Sequence, residues 1–100
     1  MNDLVKLLPI GTICKLKKSK YLLMIVGYCS YDRKFEEMYL YKGIVYPAGL
    51  LNFDVLYRFN KSDIVDVVYN GYRDDRFNLF EIGINLGLKD RKIKIDERSE

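Results

Sequence analysis

Histidine and tryptophan are missing from this chain of 100 residues, and cysteine and proline occur only twice each. Without histidine, the commonest general base and the commonest imidazole metal ligand are both gone. Cys14 and Cys29 lack C-x-x-C spacing, and together with scattered carboxylates they make no zinc set. No glycine-rich phosphate loop occurs, so neither a metal nor a cofactor is expected. The adjacent acids Glu36-Glu37 and Asp74-Asp75 would point to opposite sides of a strand instead of converging on one substrate atom. Cys29 has lysines and arginines in the chain but no histidine to lower its pKa. The expectation is a protein without catalysis.

Scarce proline combined with 49% hydrophobic residues excludes a disordered regulator. A chain of this size makes one domain that buries about two-thirds of the surface it exposes unfolded. The longest apolar run, Tyr21 to Tyr28, falls well short of the roughly 20 residues that cross a bilayer, so no membrane insertion is expected. The opening MNDLVKLLPIG has neither a basic leader nor a long apolar segment with a small-residue cleavage site. A cytoplasmic protein is expected, with Cys14 and Cys29 as buried free thiols and a cross-strand disulfide as the alternative.

Alternation is the main structural signal. Thr12, Cys14 and Leu16 share one face of a half-buried strand, with Ile13, Lys15 and Lys17 on the other. After the polar Lys18-Ser19-Lys20, the segment from Tyr21 to Tyr28 is apolar on both faces, as in a central strand, and Gly27 marks a bulge or a close backbone approach. Residues 29–34 read as a polar connection. The next segment, 35–46, is rich in aromatic and β-branched residues, with Gly43 as a bend. Pro47, Ala48 and Gly49 form a turn, and 54–59 alternates again with Val55, Tyr57 and Phe59 on one side.

Asn60-Lys61-Ser62-Asp63 is a breaker cluster with capping residues, followed by one helical turn and a strand through Val67 to Tyr69 that Asn70-Gly71 ends as a turn. Beyond it, Phe77, Phe80 and Ile84 stand at helical spacing with Gly83 and Gly87 against it, which reads as a short helix or irregular tail with frayed last residues. The fold expected is mainly β: a small, strongly curved antiparallel sheet or an SH3-like barrel with a short helical turn and a C-terminal helix or irregular tail. An α+β sheet is the alternative. The sheet is expected over 1–76, with 77–100 as an extension packing on it.

Nine tyrosines cannot all be buried in so small a protein, since each buried hydroxyl needs a partner. Tyrosine combines contact area with a polar tip, which suits an interface. Lysines concentrate in one place, Lys15, Lys17, Lys18 and Lys20, giving residues 1–35 seven bases against two acids. Lysines on a hairpin deter edge pairing, and beside tyrosines they also allow a small basic barrel that binds single-stranded nucleic acid. The modest overall charge of +3 makes that the weaker reading.

Four pieces, LLPIGTICKL, LLMIVGY, YKGIVYPAGLL and FNKSDIVDVVYNGY, stand in this order between residues 7 and 72. As a set they resemble the small Firmicutes domain of unknown function 4176 family, which occurs beside LXG-type toxins of type VII secretion systems. The resemblance implies a cytoplasmic chaperone or adaptor that binds an LXG-type toxin precursor before export; an immunity protein for a neighbouring toxin is a further reading. The family brings no list of functional residues. From the residues themselves, the apolar lip at the Pro47 turn is the expected contact surface, lined by Tyr39, Tyr41, Tyr46, Pro47, Leu50 and Leu51. Oligomeric state is left open by the sequence.

Overall fold

In a computed structural model the described residues are 5–32, 34, 36–50 and 56–98. They divide into two compact units, Leu8–Tyr72 and, separately, the residues through Leu7 together with those from Arg73 onward. The first unit is a five-stranded antiparallel sheet built from β1 (Ile13–Leu16), β2 (Leu22–Asp32), β3 (Glu37–Tyr46), β4 (Tyr57–Phe59) and β5 (Ile64–Tyr69), in the order β4-β3-β2-β1-β5. The protein is mainly β, and the sheet is open: the described pairings join β4 only to β3 and β5 only to β1.

The sheet is nevertheless curved, and its connectivity says why. A single 3-10 turn, Lys61–Asp63, leads from β4 on one edge to β5 on the other. Five strands laid flat span roughly 19 Å from first to last. The chain from Phe59 to Ile64 reaches roughly 15 Å at most through such a turn. The two edges must therefore curl toward each other. The turn itself is fixed by Asp63, whose carboxylate accepts the Asn60 N–H at 2.8 Å, and by the Lys17 N–H, which donates to the Asp63 carbonyl at 2.9 Å.

Burial follows the alternation expected for β1, with Thr12, Cys14 and Leu16 inside and Lys15 and Lys17 exposed. On β2, Leu23 and Ile25 are fully buried. The pairing of β2 with β3 shifts register between Ile25 and Gly27, which is the bulge expected at Gly27. Three local expectations are corrected. Residues 29–32 continue β2 rather than forming a connection, with Cys29 at φ 57°. Gly43 does not start a new direction, because β3 runs on through Tyr46; a Cβ there would lie 2.9 Å from the Phe59 ring, so glycine admits that ring. Asn70-Gly71 is not a turn: Gly71 lies flat against Ile10 and Thr12 and donates its N–H to Thr12 Oγ1 at 3.0 Å.

Neither cysteine is in a disulfide. Cys14 is buried, and burial pushes its thiol up to about 11, so it stays protonated and inert. Cys29, expected to be buried as well, is only half-buried.

The second unit contains one helix, α1 (Asp75–Arg98), longer than the short helix or irregular tail that Gly83 and Gly87 suggested. Asp74 opens it by accepting the Phe77 N–H at 3.2 Å, as an N-cap acid does. The helix holds the N-terminal segment by its backbone. Asn85 accepts the Val5 N–H at 2.6 Å and donates to the Val5 carbonyl at 3.0 Å. Glu81 accepts the Leu7 N–H at 2.7 Å, while Arg73 donates to the Leu7 carbonyl at 2.7 Å and lies 4.6 Å over the Phe77 ring. Both main-chain groups of Val5 and of Leu7 are thus satisfied by side chains, where a sheet would use a neighbouring strand.

Glu81 gives this clamp a pH dependence. Burial pulls its carboxyl upward, but the Leu7 N–H, the Arg73 guanidinium and Lys6 outweigh that and hold it below its ordinary value of 4.5. A carboxyl lowered by folding stabilises the fold above its unfolded value, and that contribution is lost as pH falls through the folded value. Helix content followed by circular dichroism during acid titration should therefore begin to fall below about pH 4.5. Glu81→Gln should make that step shallower; an unchanged profile in the variant would remove Glu81 from the acid response.

Candidate protein-binding surfaces

The tyrosines separate into two groups with different work. Tyr28 and Tyr41 pair across β2 and β3, and Tyr41 pairs with Phe59 across β3 and β4. Their rings form a row, with centroids 5.8 Å apart for Tyr28 and Tyr41 and 5.6 Å apart for Tyr41 and Phe59. The hydroxyls point at one residue: Tyr28 donates to the Leu8 carbonyl, and Tyr41 accepts the Leu8 N–H at 3.1 Å. Tyr41 is fully buried, so it belongs to the core and is struck from the expected contact surface. A tyrosine on a central strand with an aromatic neighbour on each side has no route to solvent.

Strand parity divides the remaining lip. Tyr39 lies on the side of β3 that carries Tyr41, and Tyr46, an odd number of residues further on, lies on the other. Tyr39 is half-buried and donates its hydroxyl to Glu37 at 2.6 Å. It is not part of one surface with Tyr46. What stands out from the sheet is Tyr46 at 47% exposure, the exposed Pro47 and Leu50 at 49%. The Gly49 N–H donates to the Val45 carbonyl at 2.8 Å, and Gly49 takes φ 81°, so the turn closes on itself beneath these side chains. Leu51 lies outside the described residues.

Two apolar surfaces were missed in the sequence. On β5, Val65, Val67, Val68 and Tyr69 are exposed, and the register of β5 against β1 shifts twice. Such irregularities blunt an edge against strand addition, so this patch offers side chains more than backbone. On α1, Leu79, Ile82 and Leu86 are exposed on one stripe at i, i+3 and i+7. The alternation of IVDVVY and the helical period of LFEIGINL were legible, but they show which residues share a face and not whether that face is covered.

Lys15, Lys17, Lys18 and Lys20 are all exposed around the turn between β1 and β2, beside the exposed Tyr21. Among the described residues, no helix is long and apolar enough to cross a membrane. A family model described as "Domain of unknown function (DUF4176)" matches residues 7–79. No curated protein and no solved structure matches the chain.

Proposed function

The chain belongs to the domain of unknown function 4176 family, and from there we propose that it is a non-catalytic protein-binding module, a cytoplasmic chaperone or adaptor for an LXG-type toxin of a type VII secretion system. One observation carries the reading: Tyr46, Pro47 and Leu50 stand exposed on a turn closed by its own backbone hydrogen bond. Apolar side chains held on a rigid turn bind with little ordering cost, and the surface gains nothing from them in the isolated chain. A precursor awaiting export has apolar segments to cover, and a small rigid lip can cover one and release it.

The test is a tagged pull-down from the native host, nuclease-treated and untreated in parallel, with the bound proteins identified by mass spectrometry. An LXG-type toxin recovered in both samples supports the proposal. The segment captured separates the roles: the targeting portion for a chaperone, the active domain for an immunity protein. Tyr46→Ser with Leu50→Ser should reduce recovery at least about tenfold, the size expected for losing a central apolar anchor. Its thermal midpoint should stay within about 2 °C of the parent, as for surface changes. A collapse of the midpoint would return the lip to the fold.

The exposed lysines of the β1–β2 turn, with Tyr21 beside them, favour a second reading, binding of single-stranded nucleic acid. Recovery of RNA, or loss of the protein partners after nuclease, would shift the site to Lys15, Lys17, Lys18 and Lys20.

A further inference from the structure

We infer that the apolar lip continues into the lysines at the end of β1, and that the two together take an acidic segment of a partner protein with an apolar anchor. The anchor lies against Tyr46 and Leu50, and the carboxylates meet Lys15 and Lys17. This rests on the protein-binding reading above and names the chemistry of the partner. Register brings the two halves together. Lys15 pairs with Leu22 across β1 and β2, and Leu22 pairs with Tyr46 across β2 and β3. Paired residues of neighbouring strands project to the same face, so Lys15, Leu22 and Tyr46 form one row over three adjacent strands. Cys14, Leu23 and Val45 form the corresponding row on the opposite face. Two strand spacings set the backbones of Lys15 and Tyr46 roughly 10 Å apart. Lys15 and Tyr46 are exposed, Leu22 between them is half-buried, and the exposed Lys17 directly follows the end of β1.

Charge complementarity selects the occupant. Among the described residues the ion pairs join Arg73 to Glu81 and Arg76 to Asp74, and none involves Lys15, Lys17, Lys18 or Lys20. Even Asp66, the register partner of Lys15 on β5, makes no ion pair with it. The turn that carries these cations is already set. Ser19 Oγ accepts the Tyr21 N–H at 3.0 Å and donates to the Tyr21 carbonyl at 3.1 Å, so a partner finds the backbone in place. A segment that satisfies both halves carries a carboxylate roughly 10 Å from its apolar anchor, about three residues of extended chain. A nucleic-acid strand fits less well. Asp66 bounds the cationic patch on the β5 side and would oppose a run of phosphates, and Leu22 and Leu50 offer a base no ring to stack on.

Fluorescence anisotropy of the full chain with labelled probes tests this. The probes are a peptide with a phenylalanine-leucine pair a few residues from a run of glutamates, the same peptide with lysines for the glutamates, and oligothymidylate. The glutamate peptide is expected to bind and the lysine peptide not to. Lys15→Glu with Lys17→Glu should weaken the glutamate peptide about tenfold, the worth of two exposed charge pairs, and should let the lysine peptide bind. Tyr46→Ser with Leu50→Ser should also weaken it about tenfold. Raising salt from about 0.1 M to about 1 M should weaken binding to the parent far more than to the lysine-reversed variant. Circular dichroism shows whether each variant is folded. The inference is overturned if the glutamate peptide does not bind, or binds the lysine-reversed variant as tightly as the parent. It is also overturned if the lip substitutions leave that peptide unaffected, since the two halves are then separate surfaces. Oligothymidylate that displaces the peptide at lower concentration assigns the lysines to nucleic acid and overturns it too. Capture of a host protein that needs Tyr46 and Leu50 but not Lys15 and Lys17 leaves the protein-binding reading standing and sinks this inference alone. Binding of the glutamate peptide as expected, with no toxin recovered from the host, does the reverse.

Discussion

Tyr41→Ala is expected to cost about 3–5 kcal/mol, the range for truncating a buried aromatic. Tyr41 is fully buried between Tyr28 and Phe59, so its removal leaves a void with an aromatic ring on each side. Its loss also strands the Leu8 N–H, which donates to the Tyr41 hydroxyl. Tyr41→Phe separates the two contributions, since it keeps the ring and removes only the acceptor. That variant should lose about 1 kcal/mol, the net worth of one hydrogen bond, since the Leu8 N–H is only partly buried. Urea unfolding followed by far-ultraviolet circular dichroism measures both. A small domain has about 5–15 kcal/mol of total stability, so the alanine variant should be close to unfolded at 37 °C. If Tyr41→Ala unfolded like the parent but lost its partner protein, the original assignment of Tyr41 to the contact surface would be right and the core reading wrong.

The second large effect is expected at Gly71. A Cβ added there would lie 2.3 Å from the Ile10 carbonyl oxygen and 2.9 Å from the Thr12 nitrogen, both backbone atoms. Neither can move alone. Thr12 is tied to Pro9 through its N–H and to Ile25 through its carbonyl, and the Gly11 N–H also donates to the Ile25 carbonyl. Gly71→Ala therefore has to displace the entry to β1 against β2. A loss of about 3 kcal/mol, or more than 10 °C in thermal midpoint, is expected from such overpacking. Gly87→Ala is the matched control. It sits in α1 with nothing within 4 Å, and should stabilise the helix by about 1 kcal/mol instead. Equal behaviour of the two variants in thermal melts would refute the close-approach account of Gly71.

Gly71 also illustrates how much of the fold the chain makes legible. Asn-Gly after a β-branched run is the strongest short turn signal, yet here the glycine serves a contact with residues some sixty positions earlier. Period-two alternation identified the buried face of β1, because it is dictated by neighbours in sequence; the helical turn expected after the Asn60–Asp63 cluster falls instead on Lys61–Asp63, and Ile64 already opens β5. The polar look of Cys29–Asp32 hid the end of β2, since an outer strand end needs no apolar face. The helix was underestimated because propensity penalises Gly83 and Gly87 one at a time, while the surrounding leucines and isoleucines carry the segment through. Most hidden was the clamp on Val5 and Leu7. Nothing in the letters of an N-terminal tail shows that Glu81, Asn85 and Arg73 will take the place of a strand.

The contact site was half legible for a related reason. Tyr39, Tyr41 and Tyr46 look alike in sequence, and only parity and the position of β3 between β2 and β4 distinguish a core ring from an exposed one.

The short link from β4 to β5 has an entropic consequence. Pairing β1 with β5 joins Ile13 to Tyr69, the most distant pairing among the described strands, and from an unfolded chain that ladder would carry the largest loop-closure penalty. Once the β1–β4 meander has formed and curled, however, the end of β4 lies near the free edge of β1, and only Asn60–Asp63 remains to be ordered. The long loop has then become a short one, so the last ladder closes with nearly the ease of a hairpin.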